Sequence, residues 1–269
     1  MTFQNVENKC FELGIDEITV LKHYSSKMPN GMQDWICWHR IYPQKWQQFL
    51  DEYSAFIPKK IKFHSGVETE LCNEAGDINI PDAEQKKIDM CALSVHYMIN
   101  LDCLEMDLMI YPILSFCPEY NNEKGQKLLE NWKNKVIAAG EENIVKGIAN
   151  GYRNAILRHS KIKTLAHMSD GILQLRRYLV EVDKVGEKKC TEIFEPLMKT
   201  MAEKNVLWEL TSDEIHFPLI IKRASELGVK FCATADGHQL ENGWGPLKNH
   251  ILAEQILDKY NLPRGEINL

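Results

Sequence analysis

The chain has 269 residues, of which 44% are hydrophobic and 26% are charged, and its formal net charge is −6. This size and composition predict one globular domain spanning residues 1–269. The negative charge argues against a nucleic-acid partner, because binding to a phosphate backbone depends on clustered Lys and Arg. The sequence has no apolar window of membrane-spanning length, and its eight cysteines form no C-x-x-C pair. We therefore expect a cytoplasmic protein without a membrane partner.

Two periodicities alternate along the chain. Short β-branched, apolar runs predict strands at residues 17–23, 60–70, 88–96, 161–167, 205–211 and 229–236. Helical spacing predicts helices at residues 42–56, 122–158, 171–182, 190–203 and 217–227. This alternation predicts a parallel α/β sheet, a class of fold that places its chemistry at the C-terminal ends of the strands.

Metal-competent side chains stand at the ends of five of the six predicted strands. They are His23, Glu68, His96, His167, and Asp236 with His238. One such residue alone is more often an ordinary hydrogen-bonded group. Five strands that end in this way would converge on one face, and imidazoles and carboxylates are the ligands of Zn²⁺, Mn²⁺ and Fe²⁺. The pattern therefore predicts a divalent metal site, with Glu209 of the remaining strand supporting the histidine ligands.

Four short motifs carry a resemblance to a known family. G-V-E at 66–68, S-V-H at 94–96, L-A-H at 165–167 and A-D-G-H at 235–238 resemble, in order and spacing, the PHP (polymerase and histidinol phosphatase) superfamily. The resemblance covers nearly the whole chain from residue 8 onward. It implies a distorted (β/α)7-type barrel and a trinuclear metal centre.

The resemblance also implies how the ligands are shared. Glu68, His96 and His167 would hold one metal, and Glu68 would bridge towards a second metal that Asp236 also binds. His23 and His238 would belong to a third metal.

The sequence departs from the family pattern at its start. The first family strand normally carries an H-x-H pair, whereas the first histidine here is His23, and Lys22 precedes it where the family usually has an acid. We therefore predict a barrel that lacks the first strand. One divalent metal (Zn, Mn or Fe) would be firmly bound by the Glu68, His96 and His167 set, a second more weakly, and Lys22 would replace the third electrostatically. His39 or His64 are alternative replacement ligands.

A barrel that lacks a strand exposes two unpaired edges, which proteins normally cover. The C-terminal tail at 264–269, a neighbouring subunit of a homo-oligomer, or a rearranged N-terminus would fill this gap. Alternatively, the true start of the chain lies upstream of Met1.

The resemblance implies a metal-dependent phosphoesterase that acts on a small anionic metabolite through a metal-activated water. Lys22 and Arg158 or Arg153 would bind the phosphate, and His238 would protonate the leaving oxygen. For the two arginines a solvated helix face is an equally good interpretation. Two alternative functions stay open: a degenerate relative that binds without turnover, and a hydrolase or lyase with a non-phosphate substrate.

Overall fold

The computed structural model describes residues 2–24, 43–96, 98–104, 123–168, 172, 175–212, 217–241 and 246–269. The strands within these ranges are β1 (Glu17–Tyr24), β2 (Lys62–Glu70), β3 (Met90–Ser94), β4 (Ile162–Leu165), β5 (Leu207–Leu210) and β6 (Phe231–Ala233). The helices are α1 (Phe3–Glu12), α2 (Pro43–Ala55), α3 (Asp82–Gln85), α4 (Glu123–Ala139), α5 (Glu141–Arg158), α6 (Val182–Val185), α7 (Glu187–Lys204), α8 (Pro218–Glu226) and α9 (Asn249–Lys259).

The described strands form one parallel sheet in the order β1-β2-β3-β4-β5-β6. This confirms the predicted α/β class. The sheet curls into a half-barrel. Its two ends approach each other, since the ring of His23 at the end of β1 stacks on that of His238, which follows β6, with ring centroids 6.0 Å apart. The seven-stranded family barrel and its missing first strand stay predictions.

Several predicted elements differ in extent from the observed ones. The helical stretch at 122–158 is two helices, α4 and α5, which are separated at Gly140 with φ of 79°. Glycine adopts this backbone without a steric penalty, so the chain can turn there. In the described part of the helix predicted at 171–182, Ile172 is helical, Leu175–Tyr178 form a 3-10 helix and α6 begins only at Val182, so one continuous α-helix is wrong for residues 175–181.

The main hydrophobic core lies between the outer face of the sheet and the helices. Val67 of β2 and Leu93 of β3 are fully buried in it. They share it with Trp132 of α4, whose indole N–H donates to the Tyr178 carbonyl at 2.8 Å. Each fully buried Val or Leu contributes roughly 1.5–3 kcal/mol. Because side chains alternate along a strand, the packing of Val67 outward turns its neighbour Glu68 inward.

The C-terminal tail covers the free edge of β6. The Phe231 N–H donates to the Pro263 carbonyl at 2.8 Å, and the Gly265 N–H donates to the Phe231 carbonyl at 2.9 Å. Ile267 then packs against the buried cluster of Met90, Ala92 and Ala166, as Leu21 of β1 also does. Of the three predicted ways to cover an open edge, the tail is the one that the structure shows at β6.

The cysteines in the described ranges are free thiols: Cys10, Cys72, Cys91, Cys103, Cys190 and Cys232. Across the described ranges, every helix is too short or too polar to cross a lipid bilayer.

Candidate metal centre

Glu68 lies at the centre of the inner-face cluster. Its Oε1 atom is 3.1 Å from His167 Nε2 and 3.3 Å from His96 Nε2, and the three donor atoms all lie within 4.8 Å of one another. Two ligand atoms bound at about 2.0–2.1 Å to one tetrahedral zinc ion are about 3.3 Å apart. The observed separations from Glu68 therefore fit two ligands of one ion.

His96 is held by a second carboxylate, Glu70. Glu70 Oε1 is 2.6 Å from His96 Nδ1, and Glu70 Oε2 accepts the backbone N–H of His96 at 2.9 Å. A carboxylate only accepts hydrogen bonds, so His96 Nδ1 carries the proton. Ser94 Oγ also lies 3.1 Å from this nitrogen. The ring therefore directs Nε2 towards Glu68, which is the arrangement typical of histidine ligands in metal sites.

Glu70 is not among the site residues predicted from the sequence. Its signal is the E-T-E run at 68–70, because residues two apart on a strand share one face.

His167 follows β4 and has a left-handed backbone with φ of 31°. A non-glycine residue in this region carries strain of about 1–3 kcal/mol, which persists only where the surroundings enforce it. The ring is buried and lies 4.9 Å from the His96 ring, centroid to centroid. The turn thus ends the strand and brings the imidazole onto Glu68.

His23, Asp236 and His238 form the open side of the cluster. His23 Nδ1 is 3.6 Å from Glu68 Oε2. His238 Nδ1 donates to the Asp236 carbonyl at 2.8 Å and lies 3.7 Å from Asp236 Oδ1. In the described ranges, the group with three convergent donors is Glu68, His96 and His167. Ligand roles for His23, Asp236 and His238 stay predictions.

The electrostatics of the cluster favour a cation. Burial opposes the ionisation of Glu68, but His23, His96 and His167 outweigh it and hold the Glu68 pKa well below its usual range. Burial lowers the pKa of His23. For His96, burial acts in the same direction, but Glu70 and Glu68 reverse it and raise the pKa. The centre thus holds an ionised carboxylate surrounded by imidazoles.

Glu209 of β5 is a further buried acid on this face. Burial, with the charges of Glu68 and Asp236, raises its pKa to about 7, although the Thr164 hydroxyl donates a hydrogen bond to it. Its predicted role of supporting the histidine ligands stays a prediction, since the structure shows Glu209 bonded to the Thr164 hydroxyl.

Lys22 does not lie beside the cluster, contrary to prediction. It alternates with His23 along β1 and pairs in register with the outward Val67. Its ammonium pKa is lowered by burial and by Lys45 of α2. Lys22 therefore belongs to the outer, helix-covered face and cannot replace a metal on the inner face.

The predicted phosphate-binding arginines also have other partners. Arg158 donates to the Ala75 carbonyl at 2.8 Å and pairs with Asp77 at 2.7 Å. Arg153 Nε donates to Thr200 of α7 at 3.3 Å. These contacts join α5 to a loop and to a neighbouring helix, as the solvated-face interpretation expects.

His64, one of the two alternative replacement ligands, lies outside the cluster. His64 lies near the start of β2 and contacts Glu17 at 2.7 Å. His64 stands four positions before Glu68, which is about 13 Å along an extended strand. His39 lies outside the described residues.

No protein-family model and no curated protein sequence matches this chain. Among solved structures, the chain is similar to the histidinol phosphate phosphatase of Lactococcus lactis subsp. lactis, crystallised with zinc, L-histidinol and phosphate. The TM-score is 0.54 at 13% sequence identity, over 97% of this chain and 88% of that chain. At this identity the similarity establishes a shared fold, and the chain has the α/β fold of that phosphatase.

Proposed function

We propose that this protein is a metal-dependent hydrolase, a phosphoesterase that acts on a small phosphorylated metabolite. The observation that carries the proposal is the convergence of Glu68, His96 and His167 within 4.8 Å. The shared fold with a histidinol phosphate phosphatase supports the same class of reaction.

The donor set fits a divalent cation such as Zn, Mn or Fe. One carboxylate and two imidazoles form a common catalytic zinc set, which leaves a position for water or substrate. A bound cation of this kind supplies Lewis-acid polarisation of a phosphoryl oxygen and lowers the pKa of water towards about 7. Glu68 offsets part of the cation's charge, and His96 and His167 complete the set.

The more open side of the cluster is where a substrate would enter. The His238 side chain is 32% exposed, compared with 8% for Glu68. An imidazole at this edge can hold a proton within reach of a leaving oxygen, which is the role of a general acid. We therefore propose that His238 protonates the leaving group.

The positions of the two basic side chains predicted to bind phosphate favour a second candidate function. Lys22 lies on the outer face and Arg158 pairs with Asp77, so neither supplies the positive charge predicted for phosphate binding. This favours a PHP-like protein with a reduced metal site, either non-catalytic or active on a non-phosphate substrate.

A phosphatase screen separates these functions. Generic phosphomonoesters are tested with Mn²⁺, Zn²⁺ and Fe²⁺ on the wild-type protein, on His96→Ala and on His64→Ala. His64→Ala is the matched control, because His64 is a histidine of the same sheet that contacts Glu17. We expect metal-dependent phosphate release that His96→Ala abolishes and His64→Ala retains. Absence of release with every metal, while the protein still binds metal, would reject the phosphoesterase and leave the second candidate.

A further inference from the structure

We propose that Glu70 is a positioning residue that fixes the tautomer and the orientation of His96. The inference rests on the proposed metal site and adds a residue to it. Glu70 is not one of the three convergent donors, so it would act on the metal through His96.

The two carboxylate oxygens of Glu70 perform separate tasks. Oε2 accepts the backbone N–H of His96 at 2.9 Å, which fixes the chain just after β3. Oε1 lies 2.6 Å from Nδ1 of the same residue, which fixes the ring. A single side chain therefore sets both where His96 stands and which way its imidazole faces.

The tautomer decides whether His96 can bind a metal. A neutral imidazole has one N–H and one lone pair. A proton on Nδ1 leaves the lone pair on Nε2, the atom that lies 3.3 Å from Glu68 Oε1. A proton on Nε2 would instead direct an N–H into the site.

The burial of Glu70 makes these contacts strong. Its side chain is 3% exposed, and a buried carboxylate is stable only when hydrogen bonds replace its hydration. Charge-assisted hydrogen bonds of this kind are about twice as strong as neutral ones.

Glu70→Gln tests the inference because glutamine has one acceptor oxygen where glutamate has two. The backbone N–H of His96 must keep that oxygen, so the glutamine NH₂ group faces the ring and requires a lone pair on Nδ1. We expect the ring to switch to the Nε2–H tautomer and metal affinity to fall about 10–100-fold, as for other partners of metal-bound histidines.

The experiment has two measurements on each protein. Nitrogen-15 NMR of the metal-free protein, at a pH where His96 is neutral, reports which ring nitrogen carries the proton. Competition with a chromogenic chelator reports the affinity for Zn²⁺. Glu74→Gln is the matched control, because Glu74 lies in the loop that follows the same strand and binds Asn150 and the Asp102 N–H instead of a histidine.

The possible outcomes test the positioning role of Glu70 and the metal site separately. A wild-type His96 with its proton on Nε2 would overturn the role of Glu70, even if Glu70→Gln did not fold. Equal zinc affinity of wild type and Glu70→Gln would also overturn it. A wild-type protein with an Nδ1-protonated His96 that binds no zinc would leave the positioning contact intact and reject the metal site.

Discussion

Replacement of Glu68 by glutamine should weaken metal binding about 100-fold and leave the metal-free fold largely intact. The carboxylate is buried and lies 3.1 Å from His167 Nε2 and 3.3 Å from His96 Nε2. Without metal, the substitution weakens a charge-assisted hydrogen bond but also relieves the cost of a buried charge. These effects oppose each other, so the free energy of unfolding should change by less than about 2 kcal/mol.

The metal-bound state should respond much more strongly. A structural zinc site with four protein ligands binds with about 10–16 kcal/mol, so one ligand accounts for about 3 kcal/mol, or about 100-fold in affinity. Metal at 100 times its Kd stabilises the wild-type fold by about 2.7 kcal/mol, and the same concentration stabilises a variant with 100-fold weaker binding by about 0.4 kcal/mol.

Calorimetric melting with and without Zn²⁺, after treatment with a chelator, measures this difference. At about 2–4 °C per kcal/mol, we expect the metal to raise Tm by about 5–10 °C in the wild type and by about 1 °C in Glu68→Gln. Glu7→Gln is the control for the loss of a buried carboxylate. Glu7 is also buried, but it accepts the backbone N–H groups of Lys59 and Lys60 instead of contacting the histidines. An equal Tm shift in Glu68→Gln and wild type would refute the ligand role of Glu68.

Three further predictions concern the fold around the site. Gly76→Ala should cost roughly 3–5 kcal/mol in urea unfolding, because its Cβ would lie 2.5 Å from a backbone carbon of α5 at a φ of +87°. Gly14→Ala, which has φ of +73° but open space, should cost only about 1 kcal/mol, and equal costs would contradict the steric argument. Gly265→Ala should cost about 1–3 kcal/mol and loosen the tail, because its Cβ would lie 2.8 Å from Lys230 Cβ; unchanged proteolysis of the tail would count against this. The Glu209 pKa is raised from 4.5 to about 7, so the metal-free folded state binds the extra proton and stability should fall as pH rises across that interval. Glu209→Gln should flatten that slope, and an unaltered slope would show that another group causes it.

The parallel sheet was predictable because its strands are short apolar runs separated by helical periodicity. The ends of the strands were less predictable. His96 and His167 were assigned to strands, but β3 ends at Ser94 and β4 at Leu165. A side chain that turns into the site can require a backbone conformation other than that of a strand, as the φ of 31° at His167 shows. The type of residue does not reveal this requirement.

The core of the site was predictable, and its surroundings were predictable only in part. The spacing of Glu68, His96 and His167 was enough to propose a common site. The face on which Lys22 lies could be predicted, because alternation along β1 puts its side chain opposite that of His23. The partner of Arg158 could not be predicted, since Asp77 lies in an irregular loop whose path depends on tertiary packing.

The central claim is that one divalent ion is held by Glu68, His96 and His167. Anomalous diffraction from crystals grown with Zn²⁺ tests it directly. We expect a peak about 2.0–2.2 Å from Glu68 Oε1 and from the Nε2 atoms of both histidines. Crystals with ordered zinc elsewhere and no anomalous peak between these three side chains would contradict it.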